Sequence, residues 1–164
     1  MSGCAIRRVS SRDVLELRRA VLRAGRPLQD AVFDGDDDPD AFHAAATLDG
    51  RVVGVATILH RGRDAGAPGG APPIPEAHRE TAWQVRGMAT ADGLRGRGVG
   101  AATLAACLDH AGAHGGTWAW CNARTGAVGF YEAQGWSVVG PRFDIPTVGA
   151  HVVMELPLGA PGDR

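Results

Sequence analysis

Between Thr81 and Ala113 the chain reads as a strand, a glycine turn and a helix, and this junction constrains the fold more than any other segment. Thr81–Thr90 has strand character, LRGRGVG at 94–100 carries three glycines, and an apolar stretch from about Val99 to Ala113 has helical length. Glycines let the backbone turn tightly and approach a ligand closely. The helix that follows offers unpaired N–H groups and the positive end of its dipole. Together these make a phosphate site; the plain alternative is a tight strand-to-helix turn.

The surrounding residues separate the phosphate-binding options. A nucleotide P-loop wants Gly-Lys-Ser/Thr, yet all 17 basic residues are arginine. A dinucleotide fingerprint is met only loosely by Gly96-x-Gly98-x-x-Ala101, and AHGGTWAWCNA, where the acidic ribose partner belongs, has no acid.

The other elements follow from local patterning. Cys4–Val9 reads as a first strand. Ser10, Ser11 and Asp13 offer N-caps for a helix whose apolar stripe is Val14, Leu15, Leu17, Val21 and Leu22, ended by Gly25 and Pro27. FDGDDDPD at 33–40 is an acidic loop, and Asp49-Gly50 between Phe42–Leu48 and Val52–Leu59 signals a hairpin. Residues 61–80, rich in Gly and Pro, read as a flexible loop within one domain spanning 1–164. Thr117–Cys121 is a strand, Thr125–Ala133 a helix ended by Gly135, and Trp136–Val139 and His151–Leu156 are two more strands. A hairpin combined with strand–helix crossovers predicts an α/β domain with a mixed sheet.

Composition excludes several classes. A net charge of −1 argues against bulk electrostatic binding of nucleic acid. Cys4, Cys107 and Cys121 form no even disulfide framework and suit a reducing compartment. No stretch approaches the roughly 20 apolar residues of a membrane span, and MSGCAIRRVSSRD lacks the apolar centre of a signal peptide. The expectation is a cytoplasmic protein without nucleic-acid or membrane partners.

Arg95, Gly98 and Gly100 match the Q/R-x-x-G-x-G/A pyrophosphate signature, and Phe130-Tyr131-Glu-Ala-Gln-Gly135-Trp136 follows about 30 residues on. On these two motifs, in this order, the chain resembles the GNAT superfamily of acyl-CoA N-acyltransferases. The resemblance implies a mixed, mostly antiparallel sheet of about seven strands, about four flanking helices and a splayed central strand pair. It implies acetyl-CoA as cosubstrate, an amine of a small molecule or peptide as acceptor, transfer in a ternary complex, no metal, and a monomer or homodimer. A non-catalytic acyl-CoA-binding module on the same fold is the alternative.

The resemblance also assigns residues. The strand holding Gly87, Met88, Ala89 and Thr90 would splay and pair with pantetheine. Amides of Arg95, Gly96, Arg97, Gly98, Val99, Gly100 and Ala101 would hold the pyrophosphate, and an N–H near Met88 or Ala89 would polarise the thioester carbonyl. Tyr131 would protonate the departing thiolate, or else pack on the sheet. Asn122 would bond cofactor or cap the next helix. The position where relatives often carry a basic glutamate is Gln84, which cannot take a proton; a water chain or a histidine, His43 or His151, would serve instead. Arg86, on the face of Gln84 by strand alternation, would reach the acceptor and clamp an acid group there, or form an internal ion pair.

Two weaker patterns complete the reading. VLRAGRPLQD, the acidic run, His43 and GAHVVMEL resemble a GNAT subgroup in which these segments surround the acceptor pocket, although a solvated loop is the plainer reading of 34–40. A calcium loop is ruled out because Ala45 stands where the twelfth-position Glu belongs. His110 and His114, one turn apart, read as a solvated helix face rather than a metal pair.

Overall fold

The computed structural model describes residues 3–64 and 66–159. Ala65, inside the loop expected over 61–80, and both ends of the expected 1–164 domain lie outside the described residues. Among the described residues there are eight strands: β1 (Cys4–Val9), β2 (Phe42–Leu48), β3 (Arg51–His60), β4 (Ala82–Thr90), β5 (Trp118–Arg124), β6 (Ser137–Val138), β7 (Phe143–Ile145) and β8 (Gly149–Pro157). The α-helices among the described residues are α1 (Leu15–Leu22), α2 (Val99–Ala113) and α3 (Val128–Ala133), with short 3-10 turns between elements. The strands are ordered β1-β2-β3-β4-β5-β8-β6, with β7 on β8. The pairs β1–β2, β2–β3, β5–β8, β6–β8 and β7–β8 are antiparallel, and β4–β5 is parallel. The expected mixed, mostly antiparallel sheet with flanking helices is therefore present, with eight strands in place of seven. The additional strand, β7, has three residues, too few to show alternation, and it exists because β8 offers it a partner from Gly149 to His151.

The described residues group into two compact units. The first takes in Leu59 and everything before it, together with Val85–Ala111. Asp49 (φ 52°) and Gly50 (φ 77°) give the left-handed pair that a two-residue hairpin needs, so β2 and β3 are joined as their sequence requires. Asp13 opens the first helical segment by accepting hydrogen bonds from the Ser10 N–H (3.2 Å) and hydroxyl (3.0 Å), which hold its carboxyl below the ordinary range. The apolar stripe of α1 covers a core of Val14, Ala45, Val55 and Ala89. A second cluster, Ala46, Val53 and Val99, seats the start of α2. A Cβ at Gly54 would collide with Val99, so the glycine in mid-strand allows the helix to approach β3 closely.

The second unit holds His60–Gln84 and the residues from Gly112 on. Here β4 pairs in parallel with β5 over three residues of each strand, Ala82–Gln84 with Trp118–Trp120, and the ladder ends there. On its other side β5 pairs with β8 along its whole length. The Gly/Pro-rich segment 61–80 contributes Ile74 to a core with Ala82, Trp120 and Val153. It also carries Arg63, whose guanidinium forms a buried ion pair with Glu155 (2.8 Å) and lies over the Trp120 ring. Burial makes that pair costly to leave half-made, so it anchors the segment.

Candidate active site

The glycine turn leads into α2 as the sequence requires. Gly96 (φ 78°) and Gly98 (φ 84°) both occupy the left-handed region that glycine adopts without strain. A Cβ built on either would meet nothing within 4 Å, so the face of the turn is open. The first helical bond runs from the Ala102 N–H to the Gly98 carbonyl at 3.0 Å. The amides of Val99, Gly100 and Ala101 therefore have no acceptor within the helix. Arg95 and Arg97 are exposed beside them, with Arg95 3.3 Å from Asp92. An open glycine face, orphan amides and two guanidiniums suit a pyrophosphate. Met88, Ala89 and Thr90, at the end of β4, belong to the same unit as this turn.

The first unit also contains a buried polar network. Arg18 is fully buried on α1. Its guanidinium donates to both carboxylate oxygens of Asp36 (2.7 and 3.0 Å), to the Ala31 carbonyl (3.0 Å) and to the Thr57 hydroxyl (2.8 Å). His43 is buried as well, with Nε2 2.8 Å from the Asp36 carbonyl and Nδ1 2.7 Å from the Thr57 oxygen. A carbonyl only accepts, so Nε2 carries the proton. The Thr57 hydroxyl therefore links the Arg18 guanidinium to the His43 ring. Arg86 donates from Nη1 to the Asp34 carbonyl (2.9 Å). The guanidiniums of Arg18, Arg23 and Arg86 lie 4.4, 5.0 and 5.3 Å from the centre of the Phe33 ring.

The remaining expected residues lie in the second unit. Tyr131 is buried on α3, edge-on to Phe130 and Trp136 with ring centres 5.2 Å away in each case. Its hydroxyl hydrogen-bonds the Cys121 sulfur. Burial pushes the Cys121 thiol up to about 12 despite that bond. Cys107 is also buried and its thiol is likewise pushed up. Asn122 is exposed on β5 opposite Val153. Gln84 is buried opposite Trp120 at the end of the parallel ladder. His151 is buried, and its Nδ1 donates to the Gly149 carbonyl at 2.7 Å.

One unit thus collects the turn, Met88–Thr90, His43 and Arg86, and the other collects Gln84, Asn122, Tyr131 and His151. The acidic run is not uniformly solvated: Asp34, Asp37 and Asp38 are exposed, but Asp36 is buried against Arg18. Arg18 is the residue that sequence reasoning passed over. The available signal was an arginine on the apolar stripe, four residues after Val14 and four before Leu22. Among the described residues no group of three His, Cys, Asp or Glu stands close enough to hold a metal ion. His110 stacks on Phe42 at 4.3 Å, and His114 faces Trp83 with ring centres 6.4 Å apart.

Comparison with known proteins gives a consistent result. The acetyltransferase (GNAT) family model matches residues 12–136. The uncharacterized N-acetyltransferase YitI of Bacillus subtilis (strain 168) is 33% identical over 150 residues, covering 91% of this chain and 93% of that protein. The ribosomal-protein-S18-alanine N-acetyltransferase of Escherichia coli superposes with a TM-score of 0.69 at 14% identity, over 98% of this chain and 97% of the other. An aminoglycoside 6'-N-acetyltransferase complexed with coenzyme A gives 0.69 at 13% identity, over 97% and 99%. The structural likenesses establish the fold, and the family match together with the B. subtilis relative establishes the lineage.

Proposed function

This chain belongs to the GNAT family of acetyltransferases, and from that premise we propose that it transfers the acetyl group of acetyl-CoA directly to the amine of a small molecule or peptide in a ternary complex. The open glycine face ahead of α2 carries this reading, because it matches what a CoA pyrophosphate needs from a backbone. Acetyl-CoA supplies an activated acetyl thioester; the residues supply grip, polarisation and a proton. Amides from Arg95 to Ala101 hold the pyrophosphate, while Met88, Ala89, Thr90 and Asn122 bond the rest of the cofactor. An N–H near Met88 or Ala89 draws charge from the thioester carbonyl as the amine attacks. The Tyr131 hydroxyl then gives its proton to the leaving thiolate.

Direct transfer is supported by the two buried cysteines. An acetyl-cysteine relay needs a thiolate, and burial keeps the thiols of Cys107 and Cys121 protonated at neutral pH. Gln84 cannot accept the amine proton. His43 has both ring nitrogens engaged, by the Thr57 hydroxyl and the Asp36 carbonyl, so the proton leaves through water or His151. Initial rates measured against both substrates test the order of events. Intersecting double-reciprocal lines are expected, and parallel lines would indicate a covalent relay instead. A non-catalytic acyl-CoA-binding module would release no CoA with any amine.

The acceptor class is read from Arg86. Its guanidinium is partly buried beside the Phe33 ring, in a neighbourhood shared with Arg18 and Arg23. Such a setting favours an amine that also carries a carboxylate or phosphate. In an acceptor screen with acetyl-CoA, amino acids and other acid-bearing amines should lead. Arg86→Ala should raise their KM about 10- to 100-fold, the scale of one lost charged hydrogen bond, and leave acetyl-CoA affinity alone. A screen returning only polyamines or aminoglycosides would refute this acceptor class.

A further inference from the structure

We propose that Arg18 is a positioning residue for acetyl transfer: its buried guanidinium holds the bend of β4 at Gly87 and thereby sets the main-chain N–H that polarises the thioester. The proposal rests on the reading above that β4 near Met88 and Ala89 carries that donor.

Gly87 is where β4 bends. Within a strand it has φ 64°, a left-handed conformation that interrupts the extended backbone. A Cβ built there would lie 2.5 Å from Arg18 Nε and 2.9 Å from both Cζ and Nη2. The guanidinium therefore occupies the volume that any side chain at position 87 would need. Because the guanidinium fills the space a side chain would take, it packs against the backbone at Gly87, and a closely packed interior transmits the position of one to the other.

The guanidinium is itself immobilised. Asp36 takes it in a two-bond fork, Thr57 and the Ala31 carbonyl take further N–H groups, and the Phe33 ring lies beneath it. These partners come from β3, from the turn after α1 and from the acidic loop, so the anchor draws on three separate parts of the chain. His43 steadies two of the partners, hydrogen-bonding the Thr57 hydroxyl and donating to the Asp36 carbonyl. The one remaining N–H, at Nε, is buried without a hydrogen-bond partner and is the atom nearest the Gly87 Cβ position. A fully buried arginine with one donor left unsatisfied is expensive. An apolar side chain on the α1 stripe would pack without that cost, so stability alone does not explain it. What the guanidinium provides, and a flexible apolar chain does not, is a rigid plane fixed at several points.

The position of the donor relative to the carbonyl determines how strongly the bond polarises it. The test therefore reads the carbonyl itself, with [1-13C]acetyl-CoA as the probe and isotope-edited infrared spectroscopy as the measurement. In the wild-type complex the carbonyl band should lie below its position in water. Arg18→Met with Asp36→Asn removes both charges together and leaves no unpaired ion. This variant should bind acetyl-CoA with unchanged affinity by calorimetry, while its carbonyl band returns most of the way to the water value. Gly87→Ala, with Arg18 intact, forces the same contact apart from the other side and should shift the band likewise; it serves if the double variant does not fold. Placed in the Arg18→Met/Asp36→Asn background, Gly87→Ala should add no further shift. A wild-type shift that persists in either folded variant, or shifts that add, would overturn the role of Arg18 alone. A wild-type complex with no shift would remove the β4 donor itself, and this proposal with it.

Discussion

Gly98→Asp should abolish measurable binding of acetyl-CoA while the protein stays folded. The added Cβ meets nothing within 4 Å, so no core contact is lost. At φ 84° a side chain does cost backbone strain, of the order of 1–2 kcal/mol. Asp tolerates that region better than most residues, and a carboxylate immediately before α2 interacts favourably with the helix dipole, offsetting about 0.3–1 kcal/mol. The same carboxylate would occupy the open face of the turn and repel the pyrophosphate, whose charge-assisted bonds to the amides contribute about 1.5–3 kcal/mol each. Affinity should fall by at least about 100-fold, which corresponds to roughly 2.7 kcal/mol. Calorimetry with acetyl-CoA and a thermal melt on the same sample check both halves. A folded variant of unchanged affinity would mean that the phosphates are held elsewhere.

Tyr131→Phe should lower kcat by about 10- to 1000-fold with acetyl-CoA affinity close to wild type, as expected for loss of one general acid. The substitution keeps the ring, and with it the edge-on packing against Phe130 and Trp136. It removes the hydroxyl from the Cys121 sulfur, a weak hydrogen-bonding partner whose loss costs little stability. Cys121 also stays a neutral thiol at neutral pH, so it cannot take over as a charged group. A pH–rate profile taken beside kcat separates the roles: an acid contributes a limb that the phenylalanine variant lacks. Full kcat on the best acceptor would make the ring purely structural.

These predictions draw on different levels of the molecule. The turn at 94–100 was legible in the amino-acid sequence because its determinants are local. Glycines at 96 and 98 permit the left-handed conformations found there, and the apolar run that follows specifies a helix within a few residues. The Asp49-Gly50 hairpin was legible for the same reason. The Phe130-Tyr131…Gly135-Trp136 run could be placed by resemblance, but its contact with Cys121 joins two elements and is visible only once both are packed.

The pairing of Arg18 with Asp36 shows where local reasoning stops. As sequence, one is an arginine interrupting an apolar stripe and the other is one of five aspartates in FDGDDDPD. Which aspartate is buried depends on where the loop crosses α1 and β3, and no pattern of neighbours encodes that. His43 is a candidate base in the sequence, where it opens a strand after the acidic loop. What its two ring nitrogens bond, Thr57 and the Asp36 carbonyl, is brought to it by strand pairing and by the loop. Strand β7 exists because β8 is beside it, not because three residues prefer to be extended. The sequence by itself determined the elements whose backbone conformation is decided within a turn or two, along with the family to which they add up. Only the tertiary structure decided which charged groups are buried, what each one touches and which glycine lies under a guanidinium, because those outcomes depend on residues such as 18, 36, 57 and 87 that meet only when the chain is folded.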